Sequence, residues 1–146
     1  MRYKHVLAAV DINEDPKLVL NQAAEMADLN GSRLSVIYAL EDVTHPYGDS
    51  FTPNETYSLL LSGGLKRSKE RLDELSAQYG VLGGDCHVSY ESWPPRAIRK
   101  LAKKVKADLI VVGTHGRKGV KKILLGSTAS GVLQGIGCDV LSVRIK

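Results

Sequence analysis

Apolar and polar positions follow one another along the chain in two alternating rhythms. Residues 3–11 (YKHVLAAVD) are a short apolar run closing on a carboxylate, the pattern of a buried strand. Asp15-Pro16 comes next, an aspartate placed to cap a helix with proline at its first position, and helical spacing continues to about Asn30. Leu20, Ala23, Ala24 and Ala27 fall on one face, and Asn30-Gly31 supplies a left-handed stop. Residues 33–40 (RLSVIYAL) predict a second buried strand.

From 41 to 54 the chain turns irregular (EDVTHPYGDSFTPN), with two prolines, a glycine and few aliphatics. This predicts a loop long enough to act as a mobile cover. Helical spacing returns up to Tyr79 with Leu65, Leu72 and Leu75 on one side, and Gly63-Gly64 marks a candidate break within it. Residues 85–91 (DCHVSYE) alternate as a third strand. Pro94 and Pro95 open a helix whose apolar face is Ala97, Ile98, Leu101, Ala102 and Val105. Its other face, Arg96, Arg99, Lys100, Lys103 and Lys104, reads as solvated surface. A fourth strand over 107–112 (ADLIVV), a helix over 127–135 and a fifth strand over 139–145 (DVLSVRI) complete the chain.

The order β-α-β-α-β-α-β-α-β implies a parallel sheet covered on both faces and joined by right-handed crossovers. The expected fold is α/β, a doubly wound five-stranded sheet in a single domain spanning residues 1–146.

Composition narrows the function classes. The 146 residues are 43% apolar and 25% charged, ordinary for a globular protein. Twenty basic against sixteen acidic residues give a net charge of +4, which suits an anionic ligand but is too small and dispersed for nucleic acid. No apolar run approaches the roughly 20 residues of a membrane span, and the opening MRYKHVLAAVD meets charge too early for a signal peptide. Cys86 and Cys138 have no CxxC partner and read as buried thiols. A cytoplasmic location is expected.

Residues 113–128 (GTHGRKGVKKILLGST) hold the candidate chemistry. Ligands of open parallel sheets bind beyond the carboxyl ends of the strands, where strand order reverses. If strands one and four are neighbours across that reversal, Asp11 and this loop face one crevice. The helix starting at Ser127 and Thr128 would offer unpaired N–H groups and the positive end of its dipole to phosphate. Gly126 lets the chain turn in without a side chain over the anion, and Gly113 and Gly116 permit close backbone approach. Arg117, Lys118, Lys121 and Lys122 raise the local positive potential. The loop is neither a Walker A sequence nor a GxGxxG, and a glycine-rich turn that merely joins strand to helix would share much of this composition.

Gly113-(two residues)-Gly116-(nine residues)-Gly126-Ser127 resembles the G-x2-G-x9-G-[ST] signature of ATP-binding universal stress proteins. The opening YKHVLAAVD, the ADLIVVGTHG strand and turn, and the closing DVLSVRI are similar to that family too. The resemblance implies sheet order 3-2-1-4-5 in a Rossmann-like, adenine nucleotide alpha hydrolase-like fold. It implies that Ala9, Val10 and Asp11 flank the base and that Ala39 meets the adenine edge through main chain. Val112, Gly113 and Gly116 would border the ribose, and Gly126, Ser127, Thr128 and Ala129 would hold the phosphates. Asp11 could instead serve phosphate-bound Mg²⁺ indirectly, and His115 either donates to phosphate or simply orients the loop. Family members commonly dimerise through the last strand, here 139–145, which would cover an exposed edge. The chain departs from the family where proline often precedes that strand, having Cys138-Asp139, and before the third helix, having Ser92-Trp93-Pro94.

Other motifs carry less. LSGGLKRS at 61–68 resembles a pyrophosphatase loop, but it does not follow the first strand and Lys66 stands where the aspartate belongs. His5, His45 and His87 are scattered without ligand spacing, Trp93 is expected to pack over a helix end, and Tyr38 to line core or crevice. No nucleophile–base pairing is visible. The expectation is therefore an ATP-binding regulatory dimer, hydrolysing slowly if at all, whose nucleotide state a partner protein reads, with 41–64 as the candidate contact segment. The alternatives are a nucleotide-hydrolysing or nucleotide-transferring enzyme, whose HxGH and KMSKS motifs are missing, and a member acting through protein contacts alone.

Overall fold

Six consecutive buried residues, His5–Val10 (HVLAAV), form the first strand, β1, and such a run belongs in the middle of a sheet covered on both faces. A computed structural model places it there and describes residues 2–41, 54–91, 93–114 and 137–145, with the side chains of 41, 54–61 and 91 outside the description. β1 pairs in parallel with β2 (Arg33–Glu41) on one side and β4 (Leu109–Gly113) on the other. β3 (Cys86–Glu91) continues beyond β2, and β5 (Asp139–Val143) beyond β4. The order is therefore 3-2-1-4-5, as expected.

Helices α1 (Pro16–Asn30) and α2 (Asn54–Ala77) cover one face; α3 (Pro94–Val105) lies on the other. The core divides accordingly. Alternate residues of β1 serve the two sides, Val6, Ala8 and Val10 packing with α1 and α2, Leu7 and Ala9 with Ala97, Ile98 and Ala102 of α3. At about 25 cal/mol per Å², burying each Leu or Ile here contributes roughly 1.5–3 kcal/mol.

Several local expectations need correction. Asp15 precedes α1 but makes no side-chain cap; it is left-handed at φ 46°, and its carbonyl instead accepts from Leu18 N–H at 3.2 Å. Aspartate tolerates that conformation better than most residues. Val19 joins Leu20, Ala23 and Ala27 on the buried face, whereas Ala24 is half-exposed. Gly31 does stop the helix as expected, at φ 64°. Gly63-Gly64 does not divide α2, which runs unbroken for 24 residues. Each glycine costs about 1 kcal/mol of helix propensity, and burial of Leu72 on the sheet outweighs it. α3 ends on Lys106 in the left-handed region, φ 59°. Trp93, ahead of α3, is partly exposed and has the Arg99 guanidinium 5.0 Å from its ring centre, a cation–π contact at the helix start. Cys86 is buried and Cys138 only half-buried; both are free thiols. The expected cover at 42–53 and helix at 127–135 lie outside the described residues.

Candidate functional site

The reversal of strand order falls between β1 and β4. Ala9 stands opposite Val112 on β4 and opposite Ile37 on β2, and Val10 opposite Tyr38. One residue further along each strand come Asp11, Ala39 and Gly113. The fold thus brings Ala9, Val10, Asp11, Ala39, Val112 and Gly113 to one carboxyl-end rim. Ala9, Val10 and Val112 are buried, while Asp11, Ala39 and Gly113 are half-exposed at the mouth. His115, Gly116, Gly126, Ser127, Thr128 and Ala129 lie outside the described residues.

Chain direction at this rim is controlled by Asp11. Its Oδ1 accepts from Asn13 N–H at 2.9 Å, and its carbonyl accepts from Glu14 N–H at 3.0 Å. This Asx-type turn carries the chain out of β1 and around to α1. One carboxylate oxygen is thereby committed to folding, and the acidic group is held at the crevice lip. Tyr38 is buried in the core, and its hydroxyl accepts from Asn13 Nδ2 at 3.5 Å.

Across the crevice, Gly113 is required for a reason that sequence alone does not reveal. A Cβ there would overlap Ile145 Cδ1 outright, lie 3.2 Å from Ile145 Cγ1 and 3.6 Å from Val19 Cγ2. The buried Ile145 side chain, two residues beyond β5, fills the space that a side chain would occupy. Thr114 clasps the same segment: its N–H donates to the Val143 carbonyl at 2.8 Å, and its Oγ1 accepts from Ile145 N–H at 3.0 Å. The expected fifth strand over 139–145 accordingly ends at Val143.

A second polar constellation lies at the opposite, amino-terminal end of the sheet. His5 Nδ1 donates to the Val105 carbonyl at 3.1 Å, and its Nε2 lies 2.7 Å from Ser35 Oγ. Ser35 Oγ is also 3.0 Å from Asp85 Oδ1, which Arg33 contacts at 2.7 Å. Burial pushes the His5 imidazole below its usual value, against the pull of the Val105 carbonyl. Burial pushes the Asp85 carboxyl upward, but hydrogen bonds from Arg33 and Ser35 prevail and hold it below the usual carboxylate range. Asp108 beside it accepts from the N–H groups of Lys4 and His5. These groups pin the starts of β1, β2 and β3 together and are remote from the rim. His5 alone gave no sign of this, since its partners are 30 and 100 residues away.

Strand order 3-2-1-4-5, the crevice between β1 and β4, and a glycine-spaced segment leaving β4 together decide the kinship. The sequence matches the profile of the universal stress protein family over residues 2–144. The chain belongs to that family. It is 35% identical to universal stress protein A homolog 1 of Coxiella burnetii over 151 residues, covering 100% of this chain and 99% of that protein. Among solved structures, the universal stress protein UspA from Lactobacillus plantarum superposes with a TM-score of 0.81 at 24% identity, covering 99% of both chains. The universal stress protein from Archaeoglobus fulgidus, solved in complex with dAMP, superposes with a TM-score of 0.60 at 26% identity, covering 98% of this chain and 99% of that one.

Among the described residues, no helix of this universal stress protein is long and apolar enough to cross a membrane, and no three His, Cys, Asp or Glu residues gather as a metal site. Its described rim, residues 9–13, 38–41 and 112–114, contains neither histidine nor cysteine.

Proposed function

We propose that this universal stress protein binds an adenine nucleotide, ATP in particular, at the β1–β4 rim and acts as a nucleotide-dependent regulatory dimer of the cytoplasm. The observation that carries this reading is the convergence of Asp11, Ala39 and Gly113 at the strand reversal, from which residues 113–128 depart with the Gly113/Gly116/Gly126-Ser127 spacing. The small side chain of half-exposed Ala39 suits an approach of a flat heterocycle to its main chain. In this reading Ala9, Val10 and Asp11 flank the base, and the Ala39 backbone reads its edge. Val112, Gly113 and Gly116 border the ribose. Gly126, Ser127, Thr128 and Ala129 hold the phosphates at a helix N-terminus, with His115 alongside. The dAMP complex of the Archaeoglobus fulgidus relative supports the nucleotide class.

Mg²⁺ would arrive on the phosphates, and Asp11 is the carboxylate poised at the mouth to meet its hydration shell. In this reading the site binds and senses the nucleotide, with hydrolysis slow if it occurs. β5 is an edge strand with half-exposed residues, and in this reading it pairs with its twin to form the dimer.

Gly126→Val crowds the phosphate position alone. It is expected to abolish ATP binding while leaving thermal unfolding unchanged. Undiminished ATP affinity in a folded Gly126→Val protein would overturn the assignment.

A further inference from the structure

The edge of the sheet farthest from β5 has a character that nucleotide binding does not use. β3 is the terminal strand, and among the described residues nothing pairs with its outer side. A groove of about 810 Å³ runs along it. α2 forms one wall and α3 the other, because these helices lie on opposite faces of the sheet. Lys66 and Lys69 rim the groove from α2, three residues apart; Lys100 and Lys104 rim it from α3, four apart. Its floor includes Leu65, Val88, Ala97 and Leu101.

Among the described residues that line it, four of twelve are lysines and none is acidic; Asp73 holds Lys69 at 2.6 Å, so the positive charge offered to a partner is that of exposed Lys66 from α2 and exposed Lys104 from α3. Both walls act on the strand between them. Burial pushes the His87 imidazole below its usual value, Asp85 pulls it up, and Lys104 from one helix and Lys69 from the other push it further down. The strand itself, CHVSYE, contains no lysine, arginine or proline. Proteins often block sheet edges with exactly such residues. Here the positive charge stands on the flanking helices and not on the strand itself.

We propose that the outer edge of β3 receives an acidic, extended peptide segment of a partner protein as a sixth strand. A six-residue strand is roughly 20 Å long and gives an added segment a full ladder of partners. A strand edge alternates N–H donors and C=O acceptors, which a peptide backbone complements fully. A phosphodiester backbone offers acceptors only and would leave the β3 carbonyls unmatched. A second copy of this chain would bring its own lysine rims against these. Side chains of an added strand point alternately toward α2 and α3, so acids on both of its faces meet lysines.

The test uses the full-length protein without nucleotide and a fluorescein-labelled peptide, EEVVEEVV, which carries acids on both faces of a strand. Anisotropy is expected to show saturable binding that weakens with salt and is not displaced by ATP. Lys66→Glu/Lys104→Glu, both on the surface rim, should weaken it at least about fivefold with unfolding unchanged. A peptide N-methylated at every amide keeps its charge but can donate along neither edge, and should not bind. Hydrogen exchange at residues 86–91 should slow in the complex. Absence of saturable binding, equal binding of the N-methylated peptide, displacement by ATP, or equal binding of an oligothymidylate would each overturn the proposal.

Discussion

Replacing Gly113 by alanine tests whether its missing side chain serves packing of the chain's own C-terminal segment. The added methyl would overlap Ile145 Cδ1 and sit 3.2 Å from Cγ1, against a side chain only 7% exposed. Rotation about χ2 would have to drive Cδ1 into the core that includes Val19. Overpacking of this kind costs about 1–3 kcal/mol. Ile145→Val removes Cδ1, the atom in conflict, at a cost of about 0.5–1.5 kcal/mol by itself. Gly113 does not adopt the left-handed conformation, so in the Ile145→Val background alanine no longer meets the main obstacle. There it should be neutral or stabilise by up to about 1 kcal/mol, through reduced freedom of the unfolded chain. The effect of one substitution therefore changes sign with the residue at 145. Urea unfolding followed by circular dichroism on the four proteins of the cycle measures this, with a coupling of about 1–3 kcal/mol expected. Additive effects, or a neutral Gly113→Ala in the wild-type background, would refute the reasoning.

Two further outcomes concern the amino-terminal end of the sheet. Ser35→Ala strips the hydroxyl between His5 Nε2 and Asp85 and should destabilise the fold by about 1–3 kcal/mol, measured by the same unfolding curves; a change within error would mean that the network is idle. His5 and His87 both have depressed affinity for protons in the fold, so the unfolded chain binds more protons once pH falls below its ordinary histidine value of about 6.5. Stability should be fully present above that pH, fall as pH drops toward the lower folded values, and fall less steeply in His87→Gln. A stability that rises on acidification through this window would contradict the burial argument.

The alternation of rhythms made most of the architecture legible in advance. Buried runs such as HVLAAV and LIVVG read as inner strands because both faces are apolar, and the strand–helix order left few sheet topologies. What escaped was whatever depends on long-range geometry. Two adjacent glycines look like a break in any local window, and only the packing of Leu72 on the sheet shows why α2 continues. The left-handed Asp15 follows from how the Asp11 turn delivers the chain, which capping preferences do not contain. That Asp11, Ala39 and Gly113 fall at neighbouring strand ends was legible, because the strand–helix order and the resemblance imply the same sheet order. The Ile145 plug was not, since residues 32 apart meet only after β4 and β5 pair. The lysines of α3 read as solvated surface and Lys100, Lys103 and Lys104 are exposed; what the sequence did not reveal is that Lys66 and Lys69 of α2 stand across the edge strand from them.

Calorimetric titration of nucleotide-free protein with ATP addresses the central claim most directly. The account predicts one nucleotide bound per chain at micromolar-range affinity, a Kd of about 1 μM corresponding to roughly −8 kcal/mol, with the binding lost in Gly126→Val. A folded wild-type protein that takes up no ATP, or a Gly126→Val protein that binds it equally well, would contradict it.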